Sequence, residues 1–286
     1  MDESDLPRFD VDLEPVGDTN SVFRYQNAPG EIQRSIIVDR HTSVRSDLSI
    51  QGSLETVIHG NYLSNGPKAT LIIARFQFMG SKPSRKFCSA NISFKFRDEE
   101  GSLKFSVDKI APSGQYCLNP SSSQEESKIG VGLNAGVNAI GGTAGGQTTY
   151  EITKSIERQD SGSFYGVSKT EGRNYGPKNA AKWSMSQNEA QKNGIPTALR
   201  LAILLKRQHD GPFFADIKVN AQVDILYNLE CRMHNLSSSN KIHPILFDPN
   251  HHHPGNIPEG IDTDCLSLYP LEDLAGIEVT RQAHAV

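Results

Sequence analysis

At 286 residues, with 36% hydrophobic and 22% charged side chains, the chain has material for a core of one large domain. Its formal net charge of −4 excludes a general nucleic-acid binder, which needs a basic surface to displace phosphate counterions. No stretch approaches the ~20 consecutive apolar residues of a membrane-spanning helix.

Taken in chain order, residues 1–46 are acidic and rich in Asp and Pro, with no sustained period. They read as a loosely ordered lead-in with one short strand at 35–38. The opening MDESDLPRFDVDLEP has neither the positive start nor the apolar run of a secretory leader, so a cytoplasmic location is expected. In that compartment Cys88, Cys117, Cys231 and Cys265, which form no C-x-x-C pair, are expected to be free thiols. The N-x-S sequons at Asn91 and Asn235 then read as chance matches.

Regular structure begins with KATLIIARFQFM at 68–79, a β-branched and aromatic strand. The basic cluster Lys82, Arg85 and Lys86 follows in a loop and reads as a solvated charge run. Ala90, Ile92, Phe94 and Phe96 then alternate with polar residues, as do Leu103, Phe105 and Val107. The DEEG segment between these two sets predicts a hairpin with one wet face. A second hairpin is predicted late in the chain. LRLAILLKRQ at 199–208, a strand expected to be buried on both faces, meets an Asp-Gly turn at 209–212. Six apolar residues from Ala215 to Ile225 then recur at period two, which no helix accommodates. Residues 231–286 form a Pro- and His-rich loop and a tail expected to pack on the core, with a short helical turn and a final strand at 277–280. The fold class expected is all-β, an antiparallel β-sandwich of one large or two fused sheets with few short helices. Its core is placed at 47–230.

No phosphate loop, zinc helix or nucleophile elbow occurs, so neither cofactor nor metal is expected. The run His251-His252-His253 cannot direct three consecutive imidazoles at one ion, and between Pro249 and Pro254 it reads as an exposed loop. Two features remain. Residues 129–140, IGVGLNAGVNAI, place Ile129, Val131, Leu133, Ala135, Val137 and Ala139 on one face and glycines and asparagines on the other. After the tip GGTAGG at 141–146, Tyr150, Ile152 and Ile156 oppose Thr149, Glu151, Thr153 and Ser155, with Lys154 on the apolar face. The 129–156 hairpin has the length and alternation of a transmembrane β-hairpin, and equally of an amphipathic hairpin covering a sandwich edge. The other feature is the stretch 164–183. Tyr165, Arg173, Tyr175 and Trp183 are the candidate lining of a ligand pocket, because aromatic and Arg walls suit small organic molecules. Trp183, between Ala181 and Met185, equally suits a strand that buries its indole.

The pattern A-x-W-x-M-x-x-N-x-x-x-K-N-G-I-P-x-x-L-R from Ala181 to Arg200 resembles a signature of uncharacterised β-rich proteins from filamentous fungi. The ILLKR that follows, KPSRKF at 82–87 and PILFDP at 244–249 are similar too, so the resemblance covers most of 48–280. It carries no catalytic residue across. It implies a fungal, non-secreted protein, accessory to a secondary-metabolite pathway by association only. Three functions are thus expected, in order. The first is a non-enzymatic or cofactor-independent sandwich binding a small apolar molecule or a protein partner. The second is a cofactor-free isomerase or cyclase. The third is a pore-forming or membrane-active protein using the 129–156 hairpin, the single route to a membrane partner.

Overall fold

The computed structural model describes residues 26–41, 48–80, 86–99, 104–133, 148–223, 242–251 and 257–278; for 119–133 and 148–160 it describes the backbone alone. The strands are β1 (Ile36–His41), β2 (Leu48–Asn61), β3 (Lys68–Gly80), β4 (Phe87–Arg97), β5 (Phe105–Ala111) and β6 (Gly114–Leu133). They continue as β7 (Thr148–Lys169), β8 (Ala180–Ser186), β9 (Ala198–Arg207), β10 (Phe213–Val223), β11 (Ile245–Phe247) and β12 (Gly276–Glu278). Two 3-10 turns, Leu266–Leu268 and Leu271–Leu274, precede β12. All pairings are antiparallel within two six-stranded sheets, which makes the all-β sandwich. One sheet has the order β1-β2-β3-β9, with β12 and β5 sharing the far edge of β9 end to end. The other runs β11-β10-β4-β8-β7-β6.

Side-chain parity explains this layering. On β4, Ala90, Ile92, Phe94 and Phe96 are buried between the sheets, and on β10 so are Ala215, Ile217 and Val219. The alternate residues, Asn91, Ser93 and Lys95 on β4 and Asp216, Lys218 and Asn220 on β10, lie on the outward face, as period-two strands with one wet face require. The central β3 and β9 are apolar on both faces because both faces are covered. Ile72, Ala74, Phe76, Leu199, Leu201, Ile203 and Leu205 enter the inter-sheet core. Ala69, Leu71, Ile73, Ala202 and Leu204 form a second cluster on the outer face of their sheet, closed by Leu266, Leu271 and Leu274 of the 3-10 turns. Gly60 allows that covering segment to come close, since a Cβ there would stand 2.0 Å from the Thr263 carbonyl oxygen.

Two expected hairpins are corrected. β4 pairs with β8 and β10, whereas β5 pairs with β9 in the opposite sheet. Likewise β9 and β10 lie in different sheets. In each case the two strands flanking the expected turn belong to opposite layers, and the described 208–212 segment is a corner between them. Alternation tells which face of a strand is buried but not which strand lies beside it. The rings that fill this end of the sandwich belong to both layers: Phe105 lies 5.3 Å from Phe213, and Phe213 stacks on Phe247 at 5.1 Å. Arg207, 1% exposed, ties the β9–β10 corner by donating to the His209 carbonyl at 2.9 Å and to Asp210 Oδ1 at 3.1 Å. Burial holds its guanidinium pKa below the ordinary arginine value, opposed by Asp210.

Candidate functional site

The four candidate pocket residues are not brought together. Trp183 sits on β8 opposite Ile92 and Gly166, 1% exposed, with its Nε1–H donated to the Pro112 carbonyl at 2.9 Å. It is part of the packed core, edge-on to Phe94 at 6.2 Å. Tyr165 is opposite Ser184, one residue out of phase with the Gly166–Trp183 pair, so it stands on the outer face of the same sheet. Arg173 and Tyr175 lie in the loop after Lys169; Arg173 Nη2 donates to the Pro177 carbonyl, and Tyr175 is 75% exposed. The indole and the three other side chains therefore share no wall.

A hollow of about 370 Å³ does occur nearby, between β5, the inner end of β7 and the second 3-10 turn. Asp108, Lys109, Ser168, Tyr269 and Glu272 contribute to its lining, and it is not an enclosed apolar cavity. Its polar groups are largely engaged. Lys109 donates to the Ser267 carbonyl at 2.9 Å. Asp108 accepts from Tyr62 Oη at 2.9 Å and pairs with Lys206 at 3.1 Å. Burial and the Asp108 bond raise the Tyr62 pKa above its ordinary value. Among the described residues no group of three His, Cys, Asp or Glu is placed to hold a metal, and Cys88, Cys117 and Cys265 are unbridged. His252 and His253 lie outside the described residues.

The feature that departs most from an ordinary sandwich is the β6–β7 pair. β7 contacts β8 only over Ser163–Lys169. From Ser121 to Leu133 and from Thr148 to Asp160, 13 residues a side, the two strands pair only with each other among the described residues. At ~3.3 Å per residue those arms are ~43 Å long, against the 9–11 tilted residues that cross a bilayer. The register slips once, between Leu118 and Ser121. Pro120 falls in that slip, where a residue with no backbone N–H removes no ladder bond. Gly162 marks the exit from the sheet: a Cβ there would meet the Ser186 carbonyl oxygen at 2.7 Å.

The register aligns the two sequence alternations. Ile129 is opposite Ile152, Val131 opposite Tyr150 and Leu133 opposite Thr148, while Gly130 is opposite Glu151 and Gly132 opposite Thr149. Directly opposed residues share a face, so the apolar sets of the two strands coincide. Nearer the sandwich the same face reads Ser127 with Lys154, Glu125 with Ile156 and Ser123 with Arg158. Apolar character is thus concentrated at the outer end. The segment 134–147, with the second half of the predicted first strand and the glycine tip, lies outside the described residues.

No family model matches the chain, and no curated protein is similar to it. Similar solved structures include the Clostridium perfringens NetB toxin in the membrane-inserted form, at 8% identity and a TM-score of 0.21, covering 77% of this chain and 92% of that one. A structure described as a pore forming protein matches at 8% identity and a TM-score of 0.28, over 75% and 86% of the two chains. The Clostridium perfringens delta-toxin matches at 10% and 0.27, over 75% and 84%. No helix among the described residues is long and apolar enough to cross a membrane, which says nothing of strands.

Proposed function

We propose that the chain is a membrane-active, pore-forming protein that inserts the outer part of the β6–β7 hairpin into a bilayer. One observation carries this reading: long arms that, among the described residues, pair only with each other, in a register that superimposes their apolar positions. A two-stranded ribbon is marginal in water and leaves both outer edges unpaired. In a bilayer those edges must be closed, because unsatisfied backbone groups cost several kcal/mol each. One hairpin cannot close on itself, so the reading requires several copies, each contributing two strands to a barrel.

Charge placement is compatible with this. Lys154 is opposite Ser127, one step toward the sandwich from the Ile129–Ile152 pair. A lysine on the lipid face costs ~2–4 kcal/mol at the midplane but ~0–1 near an interface. With the glycine-rich tip leading, Lys154 falls toward the entry side, where the cost is small. The expectation of a ligand-binding sandwich has less behind it, since Trp183 fills the core and the hollow beside it is not enclosed.

The test is release of a fluorophore from liposomes by the full chain. Val131→Asp, opposite Tyr150, is expected to abolish release while leaving the folded body intact, as judged by Trp183 emission. Release that is unaffected by Val131→Asp, or absent across lipid compositions and pH, overturns the proposal.

A further inference from the structure

The strap formed by residues 26–35 closes one side of the sandwich, from the β11 edge of one sheet to β1 of the other. Its backbone bonds to both layers: Gln33 N–H donates to the Leu246 carbonyl of β11 at 2.7 Å, and Ser35 accepts from Leu54 N–H of β2 at 2.7 Å. Side chains hold the rest. Arg34, 4% exposed, donates from Nε to the Ile36 carbonyl at 2.7 Å, from Nη2 to the His243 carbonyl at 3.2 Å and from Nη1 to Asn27 Oδ1. Asn27 Nδ2 donates to the Pro244 carbonyl at 2.9 Å, and Asn27 N–H donates to Nδ1 of His243 at 3.2 Å.

That last bond requires an unprotonated Nδ1. We propose that His243 is a proton-operated latch: taking up a proton at Nδ1 undocks the 26–35 strap from the β11 edge. Protonation turns the acceptor into a donor facing the Asn27 N–H, and it places a second positive charge beside the Arg34 guanidinium. Consistent with this, partial burial and then Arg34 hold the His243 pKa below the ordinary value. The sign follows. A group whose docked-state pKa is depressed costs nothing above the free value of ~6.5, and it disfavours the docked state progressively as pH falls below that.

The other titratable groups around the strap do not supply the same switch. His59 of β2 shares Nε2 with Gln33 Oε1 at 2.5 Å and Nδ1 with Thr70 Oγ1 at 2.9 Å. Gln33 Oε1 accepts and the Thr70 hydroxyl can either donate or accept, so these contacts suit a neutral ring and a protonated one alike. Glu31 accepts from Ala28 N–H at 2.8 Å and Asp248 from Asn250 N–H at 2.9 Å, local bonds within their own loops. His251 takes part through its carbonyl, which accepts from Gln33 Nε2 at 3.3 Å.

The experiment is hydrogen exchange on the full chain, read as protection factors for 26–35 between pH 7.5 and 5.0. Protection there is expected to fall several-fold, by at most about tenfold per pH unit since one proton is involved, while β9 is unchanged. In His243→Gln, whose side-chain oxygen can accept at any pH, protection is expected to be flat. His59→Gln is expected to keep the wild-type fall. Titration of the His243 ring by NMR is the second readout, with its midpoint expected below the free value and the loss of protection confined to the interval between the two. Constant protection in the wild type, an equal fall in His243→Gln, or a ring that titrates at or above the free value overturns the latch.

Discussion

At the scale of single residues, Trp183 shows how a side chain chosen for chemistry turns out to be architecture. Its neighbours Ala181 and Met185 sit at the alternate positions of one strand, and all three are buried. Period two therefore foretold the burial, while nothing local could tell that Tyr165 points the other way and that Tyr175 stands in water. Trp183→Ala is expected to cost about 3–5 kcal/mol, from lost burial, the cavity left and an orphaned Pro112 carbonyl. Tyr175→Ala is expected to stay within about 0.5 kcal/mol. Urea unfolding compares the two, and equal effects would contradict the packing. Glycines make a sharper case. A Cβ at Gly60 would collide with backbone, not with a side chain that can turn aside, so Gly60→Ala is expected to loosen the cover over Leu71, Ile73 and Leu204. Faster exchange of the amides at 266–274, with the inter-sheet core unchanged, would show it.

Among elements, the sandwich and its layers were legible because each strand's alternation states its buried face. β9 was legible as doubly buried from its apolar run LAILL, whereas β3 was legible as a strand without its second buried face. The sheet partners were not. An Asp-Gly turn between two alternating strands is the usual mark of a hairpin, yet here it is a corner. The deciding information lies in long-range contacts, Phe105 and Phe247 on Phe213, and in the buried Arg207. The His243 latch was equally illegible, because Asn27 and His243 are 216 residues apart and neither carries a local signal. The β6–β7 pair was half legible: its outer alternation marked a hairpin, but its polar inner shaft from Ser121 to Ser127 has no apolar period to announce a strand. Pro120 marks where shaft and sheet part. Pro120→Ala is expected to leave the pairing of Gly114–Leu118 with Gly162–Gly166 intact, since the ring removed no ladder bond there. Amide exchange at 114–118 that rises by more than a few-fold would count against that assignment.

For the whole molecule, the question is whether sandwich and hairpin are separable. Among the residues whose side chains the structure describes, the two core clusters draw on β1–β5, the inner end of β7, and β8–β11 with the C-terminal turns, with Leu118 of β6 packed against the inter-sheet one. The Ser121–Leu133 and Thr148–Asp160 arms pair with no described strand but each other. Stability should therefore reside in the sandwich, and the hairpin arms should add little to it while supplying whatever the chain does at a membrane. Replacing 119–161 by a two-residue Asn-Gly turn joins Leu118 to Gly162, which are directly opposed and within reach of such a link. The shortened chain is expected to keep a cooperative thermal transition within a few degrees of the full chain, and to keep a buried Trp183. It is expected to release nothing from liposomes that the full chain empties. A shortened chain that fails to fold would make the hairpin a structural element and remove the separation of roles. One that folds and still releases the dye would move the membrane-active surface onto the sandwich itself, most directly to the exposed Leu63, Leu268 and Tyr175 side chains.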